Sequence, residues 1–90
     1  TGVSGEIANK MAAIMHQMSK AMQLLSITHL PQIAAKGDHH LKVYKEDVNN
    51  VTTTHLKALG KEERLVEIAE MLGGKNVSEA ALANAKELLN

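Results

Sequence analysis

Ile7, Met11, Ile14, Met18 and Met22 recur at steps of four, three, four and four, the spacing of one face of an α-helix. Ser4 can cap such a helix and Glu6 falls in its first turn, where the helix dipole favours an anion. The pattern therefore predicts a helix over residues 4–20, and a Met-rich face at this period reads as core filler. Residues 22–28 form a short apolar run that ends in β-branched residues, a length that suits a buried strand better than a second long helix. A helix followed directly by such a strand is half of a βαβ unit, whose other half would precede residue 1. Pro31 fits a first helical turn and Gly37 a stop, which predicts a short helix over residues 31–36.

Two extended candidates follow, residues 41–46 and 51–57, separated by Asp47-Val48-Asn49-Asn50. Asp and Asn tolerate the backbone of tight turns, so the pair reads as a hairpin. Leu65, Ile68, Ala69 and Leu72 stand at i, i+3, i+4 and i+7, and Gly73-Gly74 closes that helix. Ser78 caps a last helix bearing Leu82, Ala85 and Leu89. The expected order is helix, buried strand, short helix, β-hairpin and two helices, a partial α/β fold in a single segment, residues 1–90. Strand 22–28 would be central, with the hairpin continuing its sheet and helices covering at least one face.

Composition sharpens this picture. Ninety residues make one small domain or part of a larger one. Hydrophobic residues reach 44%, yet there is one Tyr and no Phe or Trp, so any core must use Leu, Ile, Val, Ala and five Met. A chain of this size hides only about 60–70% of its unfolded surface, which leaves a thin margin. The segment is expected to pack against something else. Ten basic and ten acidic residues are interspersed and leave no electrostatic footprint for nucleic acid or a membrane surface. The absence of Cys removes disulfides, redox dithiols and cysteine-bound zinc, and fits a reducing cytoplasm. No apolar run approaches the ~18 residues of a membrane span. The first residues lack the basic lead and apolar stretch of a signal peptide, and they lack an initiator Met, so an excised piece is expected.

Five His raise the question of a metal. His39 and His40 are adjacent and would point to opposite faces of a strand, a poor chelating pair. With no His-x₃-His on a helix and no Cys, they read as solvated loop residues, and no metal site is expected. His16 and His55 read as surface or boundary residues. Thr1 resembles an N-terminal nucleophile, but an internal cut produces the same residue by accident. His29 differs by its place. It follows the apolar run directly, at what would be a strand's carboxyl end, where open α/β sheets gather ligand groups.

Thr1-Gly2-Val3-Ser4-Gly5, followed later by Ser26-Ile27-Thr28-His29-Leu30-Pro31-Gln32-Ile33-Ala34-Ala35, closely resembles the C-terminal end of the RecN family of bacterial DNA repair ATPases. The likeness runs on through Asp38-His39-His40, the hairpin and Lys61-Glu62-Glu63-Arg64-Leu65 to Met71-Leu72-Gly73-Gly74, so it covers essentially the whole chain. That family belongs to the ABC-type ATPases related to the SMC proteins, whose P-loop ATPase head is split by a long coiled coil. The resemblance implies that this chain is the last part of the C-terminal head lobe. Thr1, Gly2, Val3 and Ser4 would form the D-loop just after the Walker B strand. His29 would be the switch histidine that contacts the γ-phosphate and helps place the attacking water. Gln32, one turn on, would support that loop. The ABC D-loop ordinarily ends in Asp; Ser4 stands there in this sequence, so no carboxylate role is implied.

The resemblance further implies ATP and Mg²⁺ in the longer protein, a homodimer through its heads, DNA as a partner, and a cytoplasmic, nucleoid-associated place. The rest of its own head would be this segment's immediate partner. None of the phosphate-cradling G-x-x-x-x-G-K-[ST] loop, the signature motif or the Walker B Asp-Glu pair is present, so the segment alone is expected to hold no nucleotide and to be inactive. A rival reading is a self-contained, non-catalytic α+β interaction module that docks through its Met-bearing helix. Upstream sequence separates the two: hydrophobic residues and Asp-Glu just before Thr1 belong to the ATPase.

Overall fold

The structure is a computed structural model and describes residues 4–90. Helix α1 spans Gly5–Met18, α2 Pro31–Lys36, strand β1 Leu41–Val48, β2 Val51–Ala58, α3 Lys61–Gly73 and α4 Glu79–Leu89. Their boundaries follow local signals. Ser4 Oγ accepts from Ile7 N at 3.3 Å, and Ser78 Oγ from Ala81 N at 3.1 Å, each filling a donor the helix start leaves unpaired. Pro31 opens α2, where its missing N–H costs nothing. At the far end of α3, Gly74 takes φ 84°, the left-handed conformation that glycine adopts without a steric penalty. Asn49 and Asn50, at φ 52° and 64°, make the two-residue turn between β1 and β2, the twist that matches a hairpin.

Among the described residues the sheet is this antiparallel hairpin alone, in the register Leu41↔Ala58, Val43↔Leu56, Tyr44↔His55 and Val48↔Val51. Here the fold departs from the sequence expectation. Residues 23–28 carry no regular structure, and Leu24, Leu25 and Ile27 are exposed, Ile27 completely. A strand exists only by pairing, and among the described residues no neighbour offers residues 22–28 a ladder. The hairpin therefore stands by itself instead of extending a central strand.

A second correction concerns α1. Its Ile7-Met11-Ile14-Met18 face is not core: Ile14 is 62% exposed and Met11 41%. The helix instead buries Ala8 and Ala12. Among the described residues α1 packs on α2 alone, so these small side chains let the two helices approach closely. The Ile/Met face is left bare on another side.

The main core lies where α2, α3 and α4 meet, built from Ala35, Ile68, Ala69, Ala81 and Ala85 and flanked by Leu65, Val77, Leu82 and Leu88. Among the described residues all eight buried hydrophobic side chains are Ala or Ile, with no Met. The chain exposes 6985 Å², whereas a self-contained domain of 9.7 kDa exposes about 5,100 Å². Its radius of gyration is 14.3 Å, against about 12 Å for a compact 90-residue domain. Apolar faces on α1, residues 22–27 and the hairpin stand open to solvent.

Candidate functional site

His29 sits at the apex of a short bend between the irregular stretch and α2. Thr28 Oγ1 accepts from Leu30 N at 3.0 Å, a side-chain turn that closes the backbone around His29. Leu30 O then accepts from Ile33 N and Ala34 N, at 3.1 and 3.0 Å, and starts α2. The His29 backbone is thus held on both sides while its side chain is exposed. This arrangement leaves the imidazole exposed on a backbone that is held on both sides.

Of the other sequence-derived site residues, Thr1, Gly2 and Val3 lie outside the described residues. Ser4 is exposed and its hydroxyl is engaged as the cap of α1. Gln32 is half-buried in the first turn of α2, and its side chain lies over the first turn of α1: a Cβ placed on Gly5 would stand 3.5 Å from Gln32 Nε2. The fold therefore brings the start of α1 and the turn after His29 together, although Gly5 and Gln32 stand 27 positions apart in the sequence.

Arg64 was not singled out by the sequence analysis. It is the chain's one arginine among nine lysines, and a terminal amino group of its guanidinium, on α3, donates to the carbonyls of Ala34 (2.9 Å), Ala35 (3.0 Å) and Gly37. These are carbonyls at the end of α2 with no helical partner, so Arg64 clamps α2 from outside. The available signal was its place four residues before Ile68, on the buried face of α3. Arg64→Lys keeps the charge but ends one bond short of the guanidinium nitrogen that makes all three contacts. The variant should lose about 1.5–3 kcal/mol of stability, the worth of a charge-assisted hydrogen bond, in a urea titration; unchanged stability would mean the clamp carries nothing.

His40 also departs from expectation, because it is half-buried and not a solvated loop residue. Its Nδ1 is buried without a partner, as is Arg64 Nε. Burial first, then the Arg64 charge, push the His40 imidazole below its ordinary pKa of 6.5; Lys42 adds to this and Glu67 opposes it. The unfolded chain thus binds a proton more readily than the folded one. Stability should be complete above pH 6.5 and fall as pH drops through that value toward the folded pKa. Urea midpoints at pH 7.5 and 5.5 test this: a decrease in the wild type that His40→Gln abolishes is expected, and an equal decrease in both would discount His40.

On the hairpin, the Tyr44 and His55 rings stack with centroids 5.2 Å apart, and His55 Nε2 lies 3.5 Å from Glu46 Oε1. Lys42 pairs with Glu67 at 2.7 Å and Lys57 with Glu63, joining this face of the hairpin to α3. Glu63 Oε1 also accepts from Gly60 N at 3.1 Å, and Lys57 with that amide holds the Glu63 carboxyl below its usual range. Among the described residues no group of three or more His, Asp or Glu is arranged to hold a metal, and no helix is long and apolar enough to cross a membrane.

No protein-family model matches the chain. Curated relatives do, from end to end. Over 99% of its length the chain is 43% identical to DNA repair protein RecN of Haemophilus influenzae and 46% identical to DNA repair protein RecN of Bacillus subtilis. Over 98% it is 43% identical to DNA repair protein RecN of Rickettsia bellii. The chain spans about 16% of the length of each of these relatives. It is a partial α/β unit of mixed helices and one hairpin. Over its length it is similar to a segment of RecN proteins, in keeping with the C-terminal end of such a protein.

Proposed function

We propose that this chain is the closing part of the ATPase head of a RecN-like protein that acts in repair of DNA double-strand breaks. The observation that carries the reading is 40–46% identity to proteins named DNA repair protein RecN across 99% of the chain. In this reading Thr1, Gly2, Val3 and Ser4 form the D-loop, facing a second head across a dimer. His29 is the catalytic residue and Gln32 supports its loop. ATP is the substrate. The residues present suit the edge of a nucleotide and not its cradle: no phosphate loop is among them, and Ser4 Oγ is already spent on the α1 cap. The triphosphate and Mg²⁺ would be held by residues outside these ninety.

His29 supports the reading through its geometry, an exposed imidazole on a backbone closed by Thr28 Oγ1. Such a group can donate a hydrogen bond to charge developing on a γ-phosphoryl oxygen and align a water without rearranging first. DNA binding would be a property of the longer protein, because the balanced charge of this segment gives no basic patch of its own. The test is single-turnover ATP hydrolysis and nucleotide affinity, measured side by side on the full-length protein carrying His29→Ala. Turnover at the wild-type rate in a folded, ATP-binding variant would overturn the assignment.

A further inference from the structure

Between α3 and the hairpin face that carries Lys42, Tyr44 and Lys57 runs an open groove of about 560 Å³. Its two walls are tied together by ion pairs. Lys42 and Lys57 stand directly opposite each other in the ladder, a repulsive arrangement when left alone. Each is neutralised by a carboxylate of α3, Lys42 by Glu67 at 2.7 Å and Lys57 by Glu63. Those two bridges use up the cations of the groove.

What remains is acidic. Glu62 and Glu70 also line the groove, and neither pairs with a basic group among the described residues. Glu70 helps to hold Lys42 protonated, but the bond of Lys42 is to Glu67. The lining thus counts four glutamates against two lysines. Val66 lies between the two free carboxylates and is 45% exposed, while the exposed Tyr44 ring and Leu59 add apolar surface. Positions 62, 66 and 70 are about one helical turn apart, so carboxylate, valine and carboxylate follow at steps of about 6 Å. The groove therefore differs from the α1 face of Ile7, Met11, Ile14 and Met18, which is apolar throughout. Permanent interfaces are the more hydrophobic kind, and a polar rim around an apolar floor is the make-up of a reversible one.

We propose that the groove between the hairpin and α3 docks an extended segment of a partner protein, one that carries basic, apolar and basic side chains at alternate positions. Alternate residues of an extended chain point the same way and lie about 6.6 Å apart, close to the spacing of Glu62, Val66 and Glu70. The two cations meet the free carboxylates, and the apolar side chain enters between Val66 and Tyr44. The same surplus of negative charge turns away nucleic acid and anionic lipid. Neither His29 nor ATP takes part in this docking.

The test is fluorescence anisotropy on the full-length protein with a labelled, end-capped probe peptide, Gly-Lys-Ser-Leu-Ser-Arg-Gly. A second peptide has the same composition with Lys and Arg adjacent, and a third replaces both by acidic residues. The first should bind saturably, the second several-fold more weakly and the third not at all. Glu62→Gln and Glu70→Gln should each weaken the first peptide about threefold, the worth of an exposed ion pair. Together they should weaken it about tenfold, because sites about 12 Å apart act independently. Neither carboxylate is paired within the fold, so the melting temperature of both variants should match the wild type. Added salt should weaken binding to the wild type more than to the double variant. Absence of saturable binding to the wild type overturns the proposal, including the case in which another part of the longer chain fills the groove. Equal binding of the three peptides overturns it as well, as does binding of the first peptide that both Gln variants leave unchanged.

Discussion

His29→Ala in the full-length protein should lower single-turnover ATP hydrolysis by about 10²–10³-fold, while ATP affinity changes little. The asymmetry follows from where phosphate affinity would arise. Backbone amides of a phosphate loop and the metal would hold the ground state, and neither belongs to this segment. The imidazole would matter once charge redistributes on the γ-phosphoryl group. Losing one preorganised donor of this kind costs about 2.7–4 kcal/mol in the barrier, and each ~1.4 kcal/mol is tenfold in rate. If His29 only shaped the entry to α2, its replacement would shift melting and leave the rate per folded molecule near normal. Its exposed side chain argues against that, since the bend is closed by Thr28 Oγ1 and not by the imidazole.

Ile68→Ala should have the largest effect on stability of any single side-chain truncation. Ile68 is fully buried and is the largest side chain that is. The buried residues around it are Ala35, Ala69, Ala81 and Ala85, whose methyl groups cannot swing into a cavity. Truncations of this kind cost about 2–5 kcal/mol, more when the site cannot collapse. Whole domains are stable by only about 5–15 kcal/mol, and this core is small. Circular dichroism at 222 nm through a urea titration should show the midpoint collapse or the folded baseline disappear. A loss below about 1 kcal/mol would mean the flanking leucines repack into the gap. Ile14, at 62% exposed, provides the contrast: its truncation should leave the midpoint almost unchanged.

The elements specified by local signals were legible in the sequence. Ser4, Pro31, Asn49-Asn50, Gly74 and Ser78 act through hydrogen bonds and backbone angles within a few residues, so their roles need no knowledge of the rest of the fold. Residues 22–28 were read correctly as apolar, but a strand is a property of pairs, and the run has no partner among the described residues. The inner face of α1 was misread for a related reason. Periodicity weights large apolar residues, whereas α1 buries its alanines and leaves the Ile/Met face exposed. The prominence of His29 followed from its position after the apolar run, which the fold retains as an exposed bend. Arg64 and the Gln32–Gly5 approach were illegible, because each joins segments some thirty residues apart, and spacing along the chain carries no trace of such a meeting.

The alanine-rich core has a thermal consequence. Six alanines and two isoleucines withdraw little apolar surface from water, so unfolding hydrates little that was dry. The heat capacity of unfolding should lie below the ~12–15 cal/mol/K per residue of ordinary domains, and it is this quantity that bends the curve of free energy against temperature. The segment on its own would have a flat, low curve. Cooling and warming would then erode it by similar small steps, and its melting would spread over a broad interval with no sharp edge.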